Sequence, residues 1–454
     1  MDIKIGQKFV KQKEFTKALD FFLKISDKKK NNSTVNFYLG LIYSELNDFK
    51  KSVEYYEKCL DKDPKSFYTL YNLAIVKQNI GEINQAKEIY LKLIEMDKFK
   101  IRPYLGLYTL NPKFINDIHY KNILEIEKNL EITDYEKSLI SFILSKIEKR
   151  KKNIKKELEY LNNFHDLCFN SNHQYNLQSE FYYKKIINIF YNKIKFINYK
   201  KNDSFLSEFS PIFIIGLPRS GSTLIESILT SADEKIQSCG ESHVINMSVV
   251  SEVANKIYDK KFEFKNFNFE VNYLNLEKNI SEKYKKLKVL NHPEKIFIDK
   301  SLENFFNLEL ILNFFPNAKF IHTTRNLNDS ILAIYQSLLF ELSWTHKIKD
   351  IIIYIDNYLK ILNFFKKKYK SNILNVSLEE LTREKEKVSR EIFNFCKLKW
   401  NKKILNFYNR KDLFIKTLSG NQVRQKIFTY EDKKYEPYYY LIKKFENDYS
   451  WINL

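Results

Sequence analysis

Short apolar runs alternate with helically spaced apolar residues over the C-terminal half of the chain. Four of these runs are predicted as buried strands, at residues 212–215, 295–298, 319–322 and 373–376. Because a helical segment follows each run, the pattern favours an α/β fold, a mostly parallel sheet with helices on both faces. Ligands of such folds bind at the carboxyl ends of the strands, so the residues that follow the strands are the first candidates for a site.

The N-terminal part has a different pattern, in which small and aromatic residues recur every 34 positions. These residues are Gly6, Gly40 and Ala74; Ala18, Ser52 and Ala86; and Phe22, Tyr56 and Tyr90. The columns resemble those of tetratricopeptide (TPR) repeats, helical hairpins that bury their apolar faces only by stacking into a superhelix. We therefore predict TPR repeats over residues 1–112, a degenerate TPR-like helical region over 113–204, and a separate α/β domain over 205–454.

The first predicted strand runs into a glycine-rich turn and a helix. The spacing of Gly216, Gly221, Ser222 and Thr223 is that of a nucleoside-triphosphate P-loop, except that Ser222 replaces the phosphate-binding lysine. The positive charge lies inside the turn instead, at Arg219. Because backbone N–H groups and the dipole at a helix N-terminus bind phosphate or sulfate, we predict an anion-binding loop; an ordinary strand–turn–helix joint is the alternative.

This loop resembles that of the sulfotransferases, which bind the 5′-phosphosulfate of 3′-phosphoadenosine 5′-phosphosulfate (PAPS). The resemblance implies that residues 205–454 form a P-loop-like sulfotransferase domain. It also implies that five residues hold PAPS: Arg219, Ser220, Gly221, Ser222 and Thr223. A small-molecule or nucleotide kinase is the weaker alternative, because the sequence lacks the P-loop lysine and an obvious Mg²⁺-binding aspartate. No metal is expected.

A second segment resembles the part of the sulfotransferases that binds the 3′-phosphate of PAPS. A predicted strand ends at Arg325, and a helix follows with Asn326 or Asn328 as its N-cap. The guanidinium of Arg325 offers a fork of donors that suits a phosphate. The family has a serine eight residues later, where this chain has Ala333, so Ser330 is a candidate substitute.

Two polar segments between these pieces supply the chemistry that the resemblance implies. Lys300 follows the second predicted strand, where the lysine of bacterial sulfotransferases reaches the sulfuryl group. Glu241 matches the segment that carries the catalytic glutamate of tyrosylprotein sulfotransferases, with Ser242 and His243 as alternatives. The implied mechanism is in-line attack of an acceptor hydroxyl on sulfur, with Glu241 as the base and with Lys300 and Arg219 stabilising the developing charge.

Residues 417–425, followed by residues 434–437, resemble the closing segment of the bacterial enzymes, which lies over the nucleotide. The resemblance implies that Ser419 and Arg424 close over PAPS. No motif selects the acceptor, so a hydroxyl of a glycan, lipid, metabolite or peptide is compatible with the sequence. The alternative function is a TPR interaction scaffold with a nucleotide-binding but inactive transferase domain, which Ala333 keeps open.

Composition and charge restrict the partners. The chain has 454 residues and a formal net charge of +20, with the excess lysine spread along its length. Because no basic recognition motif stands out, nucleic-acid binding is not expected, whereas a polyanionic nucleotide or an acidic glycan suits the positive field. The four cysteines lack metal or disulfide spacing, and the sequence shows neither a signal peptide nor a membrane span, so a cytoplasmic protein is predicted. The TPR groove is expected to bind a protein or peptide, or to pair two copies as a homodimer.

Overall fold

The computed structural model describes residues 3–28, 32–129, 131–191, 194–197, 204–232, 236–257, 269–291, 293–410, 424–427 and 429–453. Contacts between residues group the chain into two compact units, which are described separately. The first comprises Met1–Ser171 and Asn409–Arg424, and the second comprises Asn172–Tyr408 and Gln425–Leu454. The domain boundaries expected at residues 112 and 204 stay predictions.

The first unit is built from helices that pack in sequence order, each against the next. Its helices are α1 (Ile3–Lys11), α2 (Phe15–Lys28), α3 (Ser33–Glu45), α4 (Phe49–Leu60), α5 (Phe67–Ile80), α6 (Ile83–Met96), α7 (Ile101–Leu110), α8 (Asp117–Glu127), α9 (Asp134–Arg150) and α10 (Ile154–Ser171). Polar side chains begin several of them: Asn32 and Asp48 cap α3 and α4, and Thr133 forms a capping box with Glu136 at α9.

Small residues let neighbouring helices of this unit approach aromatic rings closely. A Cβ atom on Gly6 would lie 2.6 Å from the Phe22 ring, and one on Gly40 would lie 2.6 Å from the Tyr56 ring. These distances are too short for carbon–carbon contacts, so the 34-residue spacing reflects close packing, and the prediction of a helical, TPR-like N-terminal part is confirmed. In α7, Gly106 packs against Tyr90 in the same way, although it stands before the position that strict spacing gives.

The second unit contains a sheet surrounded by helices. Its α-helices are α11 (His173–Phe181), α12 (Ile187–Phe190), α13 (Ser222–Thr230), α14 (Val244–Ile257), α15 (Tyr273–Lys286), α16 (Leu308–Phe314), α17 (Leu327–Tyr335), α18 (Ile348–Lys368), α19 (Leu378–Arg383), α20 (Lys385–Phe395) and α21 (Tyr440–Lys443). Its strands are β1 (Ile194–Ile197), β2 (Ile212–Gly216), β3 (Gln237–Ser238), β4 (Phe269–Asn272), β5 (Phe297–Asp299), β6 (Lys319–Thr324) and β7 (Ile373–Ser377). A π-helical turn, Tyr182–Ile186, joins α11 to α12. Short 3₁₀ turns lie at Pro112–Phe114 in the first unit and, in the second, at Phe205–Glu208, Val289–Asn291, Leu302–Phe306, Ser343–Thr345, Lys370–Asn372, Lys402–Asn409 and Glu436–Tyr438.

Five strands form the main sheet in the order β3-β5-β2-β6-β7, and all neighbouring pairs are parallel. The predicted, mostly parallel α/β sheet is therefore confirmed. The central strand β2 is buried along its whole length, as its run of apolar residues predicts. The strand predicted from residue 295 begins at Phe297 instead, because Lys295 has a φ of +52°, which is not extended backbone.

A smaller sheet pairs β1 with β4 in parallel, with Ile194 opposite Phe269. The expectation that residues 113–204 are helical is wrong at β1. Its backbone groups are paired by a strand far along the chain, and the local pattern of apolar residues does not reveal that partner.

Candidate active site

The anion-binding loop joins β2 to α13 and depends on three positive φ angles. Gly216 has a φ of +147°, Arg219 one of +68°, and Gly221, the N-cap of α13, one of +92°. A Cβ atom on Gly216 would lie 2.4 Å from the hydroxyl oxygen of Thr323, so this position has no room for a side chain. Gly221 offers no side-chain cap to the first turn of α13, and N–H groups at a helix N-terminus can bind an anion.

Ser220 attaches the loop to the neighbouring strand β6. Its buried hydroxyl donates to the carbonyl oxygen of Leu217 at 2.6 Å, and it lies 2.6 Å from the hydroxyl oxygen of Thr323. The Ser220 hydroxyl therefore maintains the shape of the loop. Ser222 and Thr223 form the first two positions of α13, where hydroxyl groups and helix N–H groups lie together.

Lys300 connects the start of α13 to two carboxylates. The side chain follows β5 and is 0% exposed. Its ammonium donates to the hydroxyl of Thr223 at 3.4 Å, and it pairs with Glu226 Oε2 and Glu241 Oε1 at 3.1 Å each. Burial lowers the pKa of Lys300, but the two carboxylates outweigh burial and raise it above the ordinary value, so the ammonium is charged at neutral pH.

Glu226 was missed by the sequence analysis. It lies on α13, and its Oε1 accepts a hydrogen bond from the hydroxyl of Ser238 at 2.5 Å. The spacing of Glu226 in the sequence could have identified it. A residue three positions after Thr223 lies on the same face of the helix as Thr223. A carboxylate on that face contacts the same cation as Thr223, and Lys300 is that cation.

The segment after β3 exposes Glu241 and turns Ser242 inward. The side chain of Glu241 is 47% exposed. The hydroxyl of Ser242 donates to the carboxylate of Asp299 at 2.6 Å, and burial raises the pKa of Asp299 above its usual value. The carbonyl oxygen of Gly240 accepts from the Lys300 N–H at 3.0 Å, so the backbone keeps Glu241 and Lys300 adjacent.

His243 is held in a left-handed conformation beside Glu241, with a φ of +53°. Its N–H donates to the hydroxyl of Ser301 at 2.8 Å, and its Nδ1 hydrogen-bonds the carboxylate of Glu303. The bond to Glu303 raises the pKa of His243 to about 9, against the effect of burial. The imidazole is therefore protonated at neutral pH and is a poor proton acceptor there.

Arg325 follows β6, and its side chain contacts the anion-binding loop. Its Nη1 donates to the carbonyl oxygen of Arg219 at 3.2 Å. Of the two predicted N-caps, Asn326 caps α17, accepting from the N–H of Asp329 at 3.0 Å. Three candidate cations from distant parts of the sequence, Arg219, Lys300 and Arg325, thus lie at the carboxyl ends of neighbouring strands.

Aromatic residues of the C-terminal segment enclose the guanidinium of Arg325. Its centre lies 5.1 Å from the ring centre of Tyr430 and 5.0 Å from that of Tyr435. Its Nε donates to the Tyr430 hydroxyl at 2.9 Å, and its Nη2 is 3.8 Å from Asp329 Oδ2. Tyr439 donates to the other oxygen of Asp329 at 2.8 Å. Of these four residues, Tyr435 belongs to the motif that the sequence analysis noted at 434–437, but its contact with Arg325 was not predicted.

The remaining candidates are Ser330, Arg424 and Ser419. The hydroxyl of Ser330 donates to the carbonyl oxygen of Asn326 at 2.8 Å within α17. Arg424 groups with the first unit, where it donates to the carbonyl oxygen of Asn79 at 2.6 Å. Ser419 lies outside the described residues. The expected closure of Ser419 and Arg424 over a nucleotide stays a prediction.

Neither a metal-binding cluster nor a membrane-spanning helix is found among the described residues. Within these ranges, no group of three or more His, Cys, Asp and Glu side chains is placed to hold a metal ion. None of the helices in the same ranges has both the length and the apolar character needed to cross a membrane.

Comparison with known families finds two kinds of match. Residues 211–402 match a sulfotransferase family. Residues 33–66 and 55–88 each match a tetratricopeptide repeat family. The first match contains the anion-binding loop, Lys300 and Arg325, and the other two contain α3, α4 and α5.

Individual proteins give weaker similarities. An uncharacterized protein of Aquifex aeolicus (strain VF5) is 29% identical over 241 residues, which is 50% of this chain and 30% of that protein, so most of that relative lies outside the alignment. The sulfotransferase domain of the Synechococcus PCC 7002 olefin synthase is 20% identical, with a TM-score of 0.35, over 51% of this chain and 88% of that domain. Sulfotransferase STF1 of Mycobacterium tuberculosis H37Rv is 12% identical, with a TM-score of 0.31, over 68% of this chain and 97% of that enzyme.

Proposed function

We propose that the chain transfers the sulfuryl group of PAPS to a hydroxyl group of an acceptor, because residues 211–402 match a sulfotransferase family and tetratricopeptide-repeat matches precede them. PAPS is a substrate of this reaction, and the proposed steps use no metal ion. The observation that carries the proposal is Lys300, whose ammonium contacts both Thr223 of the anion-binding loop and Glu241. One buried cation thus joins a loop suited to a phosphosulfate to a carboxylate suited to act as a base.

The loop is the proposed site of the 5′-phosphosulfate. The first-turn N–H groups of α13, the hydroxyls of Ser222 and Thr223, and the guanidinium of Arg219 would bind its oxygens. Arg325 would bind the 3′-phosphate, with Ser330 as the candidate second ligand. Support comes from the contact between Arg325 and the Arg219 carbonyl oxygen, because it would bring the two proposed anion sites side by side.

In the proposed transfer, the acceptor hydroxyl oxygen attacks sulfur while the bond between sulfur and the bridging phosphate oxygen breaks. The hydroxyl proton passes to Glu241, and the products are a sulfate ester and adenosine 3′,5′-bisphosphate. Lys300 and Arg219 would stabilise the negative charge on the leaving phosphate and on the sulfuryl oxygens. Preorganised cations suit this task, because they need no rearrangement as the charge develops.

Three adjacent residues were candidates for the base, and their surroundings support Glu241. The hydroxyl of Ser242 is committed to Asp299. The pKa of His243 is raised to about 9 by its bond to Glu303, so this residue is protonated at neutral pH. Glu241 is the carboxylate among these three residues; its side chain is 47% exposed, and it contacts Lys300.

The repeats are the proposed binding region for a protein or peptide that carries or presents the acceptor, since stacked hairpins form extended binding surfaces. The acceptor hydroxyl can belong to a glycan, lipid, metabolite or peptide. The second candidate function, a TPR scaffold with an inactive transferase domain, is favoured by Ala333, which replaces the serine expected from the resemblance.

A melting experiment with the full chain tests the proposal. In EDTA, PAPS and adenosine 3′,5′-bisphosphate should raise the melting temperature, because a ligand at 100 times its Kd stabilises the native state by about 2.7 kcal/mol. ATP with Mg²⁺ should raise it far less. Equal stabilisation by MgATP would contradict the proposal and favour a kinase.

A further inference from the structure

The resting contacts of Lys300 account for all of its hydrogen-bonding capacity. An ammonium group has three N–H donors. Thr223, Glu226 and Glu241 lie within 3.4, 3.1 and 3.1 Å of the nitrogen. For Lys300 to contact a sulfuryl oxygen, one of these three partners must therefore leave.

The two carboxylates differ in how firmly they are held. Glu226 is 15% exposed, and its second oxygen accepts from the hydroxyl of Ser238 at 2.5 Å. The oxygen of Ser238 in turn accepts from the N–H of Gly240 at 3.0 Å, which fixes the Ser238 hydroxyl in place. Glu241 is 47% exposed, on a turn. Glu241 is the partner that can leave, whereas Glu226 is fixed by its surroundings.

We propose that Glu226 is a positioning residue that holds the Lys300 ammonium against the anion-binding loop, so that Lys300 can exchange Glu241 for the sulfuryl oxygens of the donor. The inference rests on the proposed function. Donor binding would then release the Glu241 carboxylate, which becomes free to accept the proton of the acceptor hydroxyl. The base would be available only after the donor has bound.

Glu226 would also compensate the positive charge of Lys300 during the reaction. Once Glu241 accepts the acceptor's proton it is neutral, and it no longer compensates the charge of Lys300. A buried ammonium without a counter-ion is costly, and it tends to lose its proton. Glu226 does not take part in the proton transfer, so it compensates Lys300 through the whole reaction.

The test compares Glu226→Gln with wild type in calorimetric titrations at several values between pH 7 and 9.5. The probes are PAPS, which has the sulfuryl group, and adenosine 3′,5′-bisphosphate, which lacks it. Glutamine keeps the size of the side chain and can still accept from Ser238. Glu309→Gln is the control, because it removes another carboxylate paired with a lysine, Lys368, at 2.5 Å.

We expect the variant to bind adenosine 3′,5′-bisphosphate within about twofold of wild type, because the loop and Arg325 are unchanged. Its affinity for PAPS divided by its affinity for the bisphosphate should fall about tenfold relative to wild type. This is the contribution expected of one charge-assisted hydrogen bond. This loss should grow as the pH rises, because removing Glu226 lowers the pKa of Lys300 and the lysine then loses its charge. Wild type and Glu309→Gln should show a ratio that is constant with pH.

A folded Glu226→Gln variant with the wild-type ratio at every pH would overturn the inference. Retained binding of the bisphosphate shows that the variant is folded. If Glu226→Gln does not fold, Ser238→Ala decides, because it removes the hydroxyl that anchors Glu226 and keeps both carboxylates of the Lys300 cluster: a lowered ratio supports the inference, and an unchanged ratio overturns it. If wild type binds neither nucleotide, the proposed function itself fails, and the two failures are thus distinguishable.

Discussion

Replacing Arg325 with alanine removes the side chain on which the proposed 3′-phosphate site depends. In the structure the guanidinium contacts the Arg219 carbonyl oxygen at 3.2 Å and the Tyr430 hydroxyl at 2.9 Å, and it lies between two aromatic rings. These contacts hold it beside the loop before any ligand arrives. Little ordering is then needed when it meets a phosphate, so its contribution to binding should be large.

The expected loss of nucleotide affinity is about 2–4 kcal/mol. Charge-assisted hydrogen bonds contribute about 1.5–3 kcal/mol each, and truncating one partner of a buried charge pair costs about 2–5 kcal/mol. The loss corresponds to about 30- to 800-fold weaker binding. The carboxylate of Asp329, 3.8 Å from the lost nitrogen, should add to the loss, because without Arg325 its negative charge would repel the proposed 3′-phosphate without a guanidinium to offset it.

Calorimetry with two ligands isolates the contribution of the 3′-phosphate. Adenosine 3′,5′-bisphosphate should lose the full amount in Arg325→Ala, whereas adenosine 5′-phosphate, which lacks the 3′-phosphate, should lose little. Arg390→Ala is a matched control, because Arg390 also pairs with a carboxylate, Glu386 at 2.8 Å, and stacks on an aromatic ring, Trp400. If Arg325→Ala weakens both ligands by the same factor, Arg325 does not bind the 3′-phosphate.

Three further changes test other parts of the site. Glu241→Gln should lower the rate of sulfuryl transfer by about 10²–10⁴-fold while nucleotide affinity stays near that of wild type; near-full transfer would remove Glu241 from the role of base. Gly216→Ala should destabilise the chain by more than about 3 kcal/mol in denaturant unfolding, because its Cβ would lie 2.4 Å from Thr323 at a φ of +147°, and a loss under about 1 kcal/mol would contradict the strained geometry. Glu303→Gln should lower the melting temperature most at about pH 6.5, and the difference from wild type should vanish as the pH rises through about 9. The reason is that the hydrogen bond to Glu303 raises the pKa of His243 to about 9, so the stability that this ion pair contributes is lost when the imidazole deprotonates. A difference that does not change with pH would mean that the ion pair does not form.

The sequence predicted the elements whose signal is local. The four apolar runs became strands of one parallel sheet, and the residues that follow them carry Arg219, Lys300 and Arg325. The 34-residue columns predicted the packing of small residues on rings, because that packing repeats within each hairpin. In these cases the environment of a residue follows from its neighbours along the chain, or from the interval at which similar residues recur.

The missed features depend on partners that are distant in the sequence. Tyr430 and Tyr435 lie against Arg325, although about a hundred residues separate them from it along the chain. The motif at 434–437 contains Tyr435 but does not indicate that contact, and in a chain with 31 tyrosines Tyr430 carries no signal. The contacts of Glu226 are with Lys300, much later in the chain, and with Ser238, which lies on strand β3. Strand β1 likewise depends on its pairing with β4.

The most direct test of the account is the transfer of labelled sulfuryl from PAPS by the full chain. Purified protein is incubated with PAPS labelled in the sulfuryl group, in EDTA, with separate glycan, lipid, small-metabolite and peptide fractions, and with Glu241→Gln in parallel. The account predicts a labelled sulfate ester in at least one fraction with wild type, and about 10²–10⁴-fold less with the variant. Binding of PAPS by wild type without label in any fraction would contradict the account and favour the scaffold function.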